Sequence, residues 1–247
     1  MSVKWNELTG PEIAAMAETT DVAILPFGSL EMHGPHLPTS TDALVAEAVC
    51  VGAAQIEPAV VLPRLCYTPA QSMKCYPGTI SLSTRTVTAI FEDICDEAAR
   101  NGFKKIIIFS AHGGCQVTSS LREQWLEKRS KGMVDYSIFC VFIADAIGEE
   151  NAKAFDGHGG AMETSWAMAA APELVRIDRV EAPGPIIPPE LPGISFSDYW
   201  DRQVPYGYKN DPRKADAASG EKMLKSASDF LAKAVKKIKA FRRVPSL

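Results

Sequence analysis

Apolar residues along this chain fall into short unbroken runs separated by amphipathic stretches. "DVAILPFGS" (21–29) is an apolar run ending in Pro and Gly, the pattern of a buried strand entering a loop. "AVVLPRLCY" (59–67), "KKIIIFS" (104–110) and "YSIFCVFIAD" (136–145) read as further strands, the last ending in an acid. Between them lie helical patterns. "TDALVAEAVCVGAAQI" (41–56) is rich in Ala, Leu and Val, with Thr41 or Asp42 available as N-cap. In 83–102 the apolar positions 87, 90, 91, 94 and 98 follow the 3.6-residue period, and Asn101-Gly102 supplies a stop. "VTSSLREQWLEKRSKG" (117–132), the stretch beginning "AMETSWAMAAAPELV" (161–175) and the last 28 or so residues complete the helices.

Strand and helix in alternation imply an α/β fold with a largely parallel central sheet and helices on both faces, a three-layer α/β/α sandwich. A chain of 247 residues fits one such domain, 1–247, and carries no internal repeat or low-complexity tract. The segment 181–215 breaks the alternation. It is rich in proline, carries aromatic residues at 196, 199, 200, 206 and 208, and reads as a long irregular excursion that covers a pocket or a subunit partner.

Composition narrows the function classes. Hydrophobic residues make up 46% and charged residues 23%, ordinary for a soluble globular protein. A net charge of −4 argues against nucleic-acid and membrane-surface partners, which select for basic patches. The basic "KAVKKIKAFRRV" reads as the solvated face and last turn of the terminal helix. No apolar run approaches the roughly 20 residues that span a bilayer, and "MSVKWNELTGPE" lacks the apolar core of a signal peptide. Six cysteines without CxxC spacing suit reduced thiols better than a disulfide framework or a zinc ribbon. Together these point to a cytoplasmic protein.

The candidate chemistry lies at the strand ends, where ligands gather in sheets of this kind. The chain has four histidines, His33, His36, His112 and His158, and two of them fall in "GSLEMHGPHLPTSTD" (28–42). If the chain stays extended past Leu30, Glu31 and His33 point to one side. Asp42 sits at the mouth of the next helix, His112 follows a buried strand and precedes Gly113-Gly114, and His158 lies five residues before Glu163 in "DGHGGAMETS". Glu31, His33, Asp42, His112 and Glu163 form a nitrogen and oxygen ligand set suited to Zn²⁺, Mn²⁺ or Fe²⁺. A divalent ion in such a set makes water nucleophilic at neutral pH and polarises the carbonyl it attacks. His36 serves equally well as a residue shaping the Pro-rich loop, and Asp145 reads as a loop or capping acid outside the site. The glycine pairs match neither GxGxxG nor a Walker A loop, and no nucleophile elbow surrounds Ser110 or Ser165.

These blocks resemble the creatininase (creatinine amidohydrolase) family. "GSLEMHGPHLPTSTD" is similar to its opening signature: glycine, a small residue, any residue, Glu, any residue, His-Gly-Pro-His-Leu-Pro and then Thr-Asp. "YPGTISL" (76–82), "IIIFSAHGG" (106–114), "HGGAMETS" (158–165) and "KNDPRKADAASGEKM" (209–223) look like further family blocks in order, so the resemblance covers most of the chain. It implies an α/β/α sandwich assembled as a homo-oligomer, often a hexamer, with a metal pair at the sheet edge, hydrolysing C–N bonds in cyclic amides or formamides. Carried over by motif, Glu31, His33, Asp42 and His112 look like metal ligands, with Asp42 as the bridge. Glu163 looks like a ligand of the second ion, and His158 like a substrate-contacting or acid/base residue.

Departures from the family pattern bear on the substrate. Ser110-Ala111 and Cys115 replace Asn-Gly and Asn around the third-block histidine. Gly114 stands where creatininase has a metal-binding Glu, which shifts weight onto Glu163. The substrate-side tryptophan before the fourth-block histidine appears as Phe155 or is absent, and "QSMKCY" replaces the histidines that precede "PGT" in many relatives. A pocket with other polar partners selects other substrates. The expectation is therefore a hydrolase of a small-molecule carbonyl substrate, using one or two divalent ions, zinc foremost, with manganese or iron as alternatives. His158 and Glu163 are its catalytic candidates, Glu163 as general base if free of metal. Two rivals stand beside it: hydrolysis of a lactone or cyclic sugar-derived ketone at the same site, and a metal-binding or assembly protein with little catalysis.

Overall fold

A computed structural model describes residues 2–113, 117–185 and 199–242. Its elements run α1 (Gly10–Thr19), β1 (Val22–Phe27), α2 (Thr41–Ile56), β2 (Val60–Val61), α3 (Thr84–Arg100), β3 (Lys105–Ser110), α4 (Val117–Ser130), β4 (Ser137–Phe142), α5 (Ile143–Ala146), α6 (Glu149–Lys153), α7 (Ala161–Ala170) and α8 (Ala217–Ala240). Among the described residues the sheet has the order β2-β1-β3-β4. Every pairing is parallel; β1 and β3 run in register from Val22 opposite Lys105 to Phe27 opposite Ser110.

Side-chain alternation builds the three layers. Val22 and Ile24 of β1, with Ile107 and Phe109 of β3, face a core formed with α2, α7 and α8. Ala23, Leu25 and Phe27, with Ile106 and Ile108, face the opposite core, formed with α1, α3 and α4. Both faces of the central strands are therefore apolar, which is why these strands read as continuous runs rather than alternating ones. Fully burying each large aliphatic or aromatic side chain here contributes about 1.5–3 kcal/mol.

Several elements differ from the sequence reading. The expected strand 59–67 keeps only Val60–Val61. Leu62 and Leu65 still donate to the carbonyls of Ile24 and Pro26, but Pro63 between them has no N–H for the ladder. The strand expected over 136–145 ends at Phe142, and Asp145 sits exposed in α5. The last helix starts at Ala217, where Asp216 accepts the Ser219 N–H at 2.9 Å. Helix α1 went unread although Thr9-Gly-Pro-Glu12 carries its start: the Glu12 carboxylate accepts the Thr9 N–H at 2.7 Å. Of the excursion 181–215, positions 186–198 lie outside the described residues.

Strand order decides where the site falls. The chain leaves β1 through α2 to β2 on one side, and reaches β3 on the other side through α3. The crevice beyond the carboxyl ends of β1 and β3 is thus the topological switch point of the sheet.

Candidate metal centre

The loop after β1 enters that crevice. A bridge pairs Leu30 with Ile80, and Glu31 N–H donates to Thr39 O at 2.9 Å. Glu31 and His33 then point into one buried cluster. Asp42 joins them from the first turn of α2. Ser40, not Thr41 or Asp42, holds the N-cap position, and no side chain caps the helix, so Asp42 is free to face inward. His112 arrives from the end of β3, after a turn in which Ser110 Oγ accepts the His112 N–H at 3.1 Å. Glu163 projects from the first turn of α7, its Oε2 accepting the Gly159 N–H at 2.6 Å.

Six predicted residues meet in three overlapping groups: Glu31, Asp42 and His112; His33, Asp42 and Glu163; Glu31, His33 and His158. Within each group the ligand atoms lie within 4.8 Å of one another. His33 Nε2 is 3.0 Å from Asp42 Oδ1, 3.6 Å from Glu163 Oε2 and 4.0 Å from Glu31 Oε1. His112 Nδ1 is 3.0 Å from Asp42 Oδ2 and 3.2 Å from Glu31 Oε1. Asp42 thus offers one oxygen to each side. His36 stays outside these groups: its Nε2–H donates to Thr164 Oγ1 at 2.9 Å, a hydroxyl that itself donates to Gly160 O.

The imidazoles are oriented by main-chain carbonyls, which only accept. His33 Nδ1 donates to Glu31 O at 3.1 Å, His112 Nε2 to Pro69 O at 3.0 Å and His158 Nε2 to Met32 O at 2.6 Å. Each ring therefore turns its other nitrogen toward the carboxylates. This arrangement sets the tautomer of metal-ligating histidines. The buried His33 Nε2 has no hydrogen-bond geometry to any partner despite three carboxylates nearby. An orphaned imidazole nitrogen among buried carboxylates fits a cation, and the donor set of nitrogen and carboxylate oxygen fits zinc or manganese.

Electrostatics point the same way. Burial disfavours the charged forms of Glu31 and Asp42, yet the imidazoles of His112 and His33 outweigh it and hold both below the usual carboxylate range. Reciprocally, against the pull of burial, the carboxylates raise His33 to about 10 and His112 well above its ordinary value. The cluster demands positive charge at its centre, which protons or a cation can supply. Burial pushes Glu163 up to about 7, opposed by His33 and helped by Asp42. Burial, followed by the charge of His33, lowers His158 to about 4, so its ring is neutral at pH 7.

Sequence reasoning did not find the groups around these ligands. Buried Ser29 donates from Oγ to Asp42 Oδ2 at 2.9 Å; its signal was the small residue of the first block. Trp200, Lys209 and Ser72 line the cleft of about 260 Å³ that opens onto Glu31, Asp42, His112, His158 and Glu163. Phe155 also lines it, stacked on Trp166 with centroids 6.2 Å apart. Gly114 and Cys115 lie outside the described residues. A wider cleft of about 540 Å³ between α7 and α8 holds none of the ligand cluster. We expect Ser29→Ala to weaken metal binding about 10- to 100-fold with the fold intact, since hydrogen-bond partners of ligands typically matter to that extent. Competition with a calibrated chelator measures it.

Known proteins resemble this chain in sequence and fold. The pattern of the family described as "Creatininase: Creatinine amidohydrolase" matches residues 6–235. The chain belongs to the creatininase family. Among curated members it is 33% identical to a creatinine amidohydrolase of Pseudomonas putida over 207 residues, covering 76% of this chain and 80% of that one. It is 28% identical to a mycofactocin precursor peptide peptidase of Mycolicibacterium smegmatis, over 82% of this chain and 79% of that one. A solved structure described as "Creatininase Mn" superposes with a TM-score of 0.84 at 29% identity, covering 97% of this chain and 99% of that one. A mutant creatininase described as "Zn-Zn type" gives the same score, identity and coverage. These creatininase-family relatives are hydrolases by name, and the two solved creatininases are described with manganese and with zinc. Among the described residues of this member, no helix is long and apolar enough to cross a membrane.

Proposed function

We propose that this creatininase-family protein is a metal-dependent hydrolase that opens a C–N bond in a small cyclic amide or formamide-like substrate. The observation that carries the reading is the convergence of Glu31, His33, Asp42, His112 and Glu163 around one orphaned imidazole nitrogen at the switch point of the sheet. Glu31, Asp42 and His112 would hold one divalent ion, and His33, Asp42 and Glu163 a second, with Asp42 shared. Zinc is the first choice, manganese or iron the alternatives. A bound divalent ion supplies Lewis acidity, which makes water nucleophilic near pH 7 and polarises a carbonyl.

The chain's own groups do the rest. Ser29 fixes the Asp42 carboxylate by hydrogen bonding. Neutral His158, its Nε2–H tied to Met32 O, presents Nδ1 to the cleft, where it accepts a hydrogen bond from substrate or relays a proton to the departing nitrogen. Glu163, if free of metal, is the candidate general base, since burial pushes it up to about 7. The cleft of about 260 Å³ favours a small substrate over a long peptide. Five described cysteines, all free, suit a reduced, cytoplasmic setting, and a homo-oligomer is the assembly carried over from the family resemblance.

Metal analysis of the purified protein, followed by amine-release assays on lactams, hydantoins and formamides, tests the reading. Bound divalent metal and amine release are expected. Turnover of lactones or cyclic ketones alone moves the reaction to another bond; full metal with no turnover of any carbonyl substrate, short peptides included, overturns the proposal. Glu163→Gln separates ligand from base. As ligand, its loss lowers the metal content by one equivalent. As base alone, metal stays and kcat falls about 10²- to 10⁴-fold, the usual size of general-base catalysis.

A further inference from the structure

Opposite the ligand cluster, the cleft carries one cation that the mechanism above does not use. Lys209 belongs to the "KNDPRKADAASGEKM" block, directly before Asn210, the single non-glycine residue with positive φ (56°) among those described. Its main-chain N–H donates to His158 O at 2.8 Å, which ties it to the site. Its stem runs over Gly157: a Cβ at that glycine would lie 3.0 Å from Lys209 Cδ. Its Nζ sits over the indole of Trp200, 5.6 Å from the ring centroid, and the same indole meets His158 edge-on at 5.9 Å. Several other lysines hold a carboxylate: Lys104, Lys131, Lys153 and Lys225 each have one at 2.6 Å. Lys209 has no carboxylate partner among the described residues, while the three site carboxylates are turned toward His33 and His112. A half-buried ammonium at a cleft wall, packed on an aromatic face and without an anion of its own, is completed by an anion from outside.

We propose that Lys209 is a specificity-determining residue that binds a carboxylate substituent on the substrate, with Trp200 and Phe155 as walls for a planar ring, so that the preferred substrate is an anionic cyclic amide. This rests on the hydrolase reading for the identity of the scissile bond, but not for the binding preference. One ammonium without a second cation suits a singly charged carboxylate better than a phosphate, which is commonly held by arginine forks or several donors. Lys209 touches the part of the substrate remote from the reacting carbonyl, so its removal acts on recognition.

The test uses hydantoin-5-acetic acid and its neutral methyl ester on the metal-loaded full chain. Stopped-flow tryptophan fluorescence reads binding before turnover, and amine release reads hydrolysis. The wild type is expected to bind the acid at least tenfold more tightly than the ester, about 1.4 kcal/mol. The preference should shrink from 50 to 500 mM salt, vanish in Lys209→Met and Lys209→Gln, and persist in Lys209→Arg. Equal binding of acid and ester, binding of neither, or a preference that survives in folded Lys209→Met overturns the assignment, and Lys209 is then only an aromatic-packed stem. A preference without hydrolysis of either compound leaves Lys209 as the anion-reading residue and counts against the hydrolase reading. Hydrolysis of both at equal efficiency does the reverse.

Discussion

Asp42→Asn is expected to strip the protein of tightly bound metal and to lower kcat/KM about 10³-fold or more. Asp42 belongs to two of the ligand groups and offers a separate oxygen to each, with Oδ1 3.0 Å from His33 and Oδ2 3.0 Å from His112. Asparagine keeps the shape but replaces one acceptor oxygen with an NH₂ and removes the negative charge, so one group loses its donor oxygen and both lose the anion at once. Losing Lewis-acid stabilisation removes several kcal/mol from the transition state, and each 1.36 kcal/mol is about a factor of ten in rate. Elemental analysis, circular dichroism and kinetics on the best amide substrate together test the claim. A folded Asp42→Asn protein that keeps its full metal complement and works within tenfold of wild type would refute the shared-ligand geometry. Ser29→Ala, which only frees the same carboxylate, should fall between this variant and wild type.

Gly28→Ala is the second large effect, and it works through space rather than backbone angle. Gly28 directly follows β1, where the first turn of α2 passes close by. A Cβ there would lie 2.3 Å from Ala43 N and 2.5 Å from both the Asp42 carbonyl carbon and Asp42 Cβ. These atoms belong to the first turn of a buried helix and cannot rotate away. Either the strand end or the helix must shift, and overpacking of this kind costs about 1–3 kcal/mol. With about 2–4 °C per kcal/mol for a chain of this size, a melting temperature lower by about 2–12 °C is expected. Activity should fall further than stability, because the displaced turn carries Asp42 and a shift of about 1 Å in a catalytic constellation can cost about 10²-fold. A thermal melt and a kcat/KM measured on the same preparation check both parts. A variant that melts within 2 °C of wild type and keeps full activity would show that the turn relaxes without moving the carboxylate.

Both predictions turn on residues that stand out in the chain itself. The alternation of apolar runs with helical patterns was enough to reach the parallel sheet and its two helical layers, because strands buried on both faces leave continuous apolar runs. Helix 41–56 was read to the residue, since its Ala-rich body begins just after a loop full of proline and ends before Pro58. Glu31, His33, Asp42, His112, His158 and Glu163 were legible because each directly follows a strand or opens a helix, and a parallel sheet sends those points to one edge.

The tertiary structure decided what spacing cannot encode. Helix α1 and the shortening of the second strand at Pro63 were local signals that the apolar pattern masked. The carbonyl that orients His112 belongs to Pro69, 43 residues earlier, and the one that orients His158 to Met32, 126 residues earlier. No local pattern announces such pairings, because a main-chain acceptor has no residue identity. Lys209 and Trp200 likewise read as ordinary members of a proline-rich excursion until the fold laid them beside His158. Sequence alone determined which chemistry the chain carries, since residue type sets donor atoms and periodicity sets which edge they reach. Tautomer, charge balance and the far wall of the cleft came only from folding, since they depend on distances between atoms brought together from remote parts of the chain.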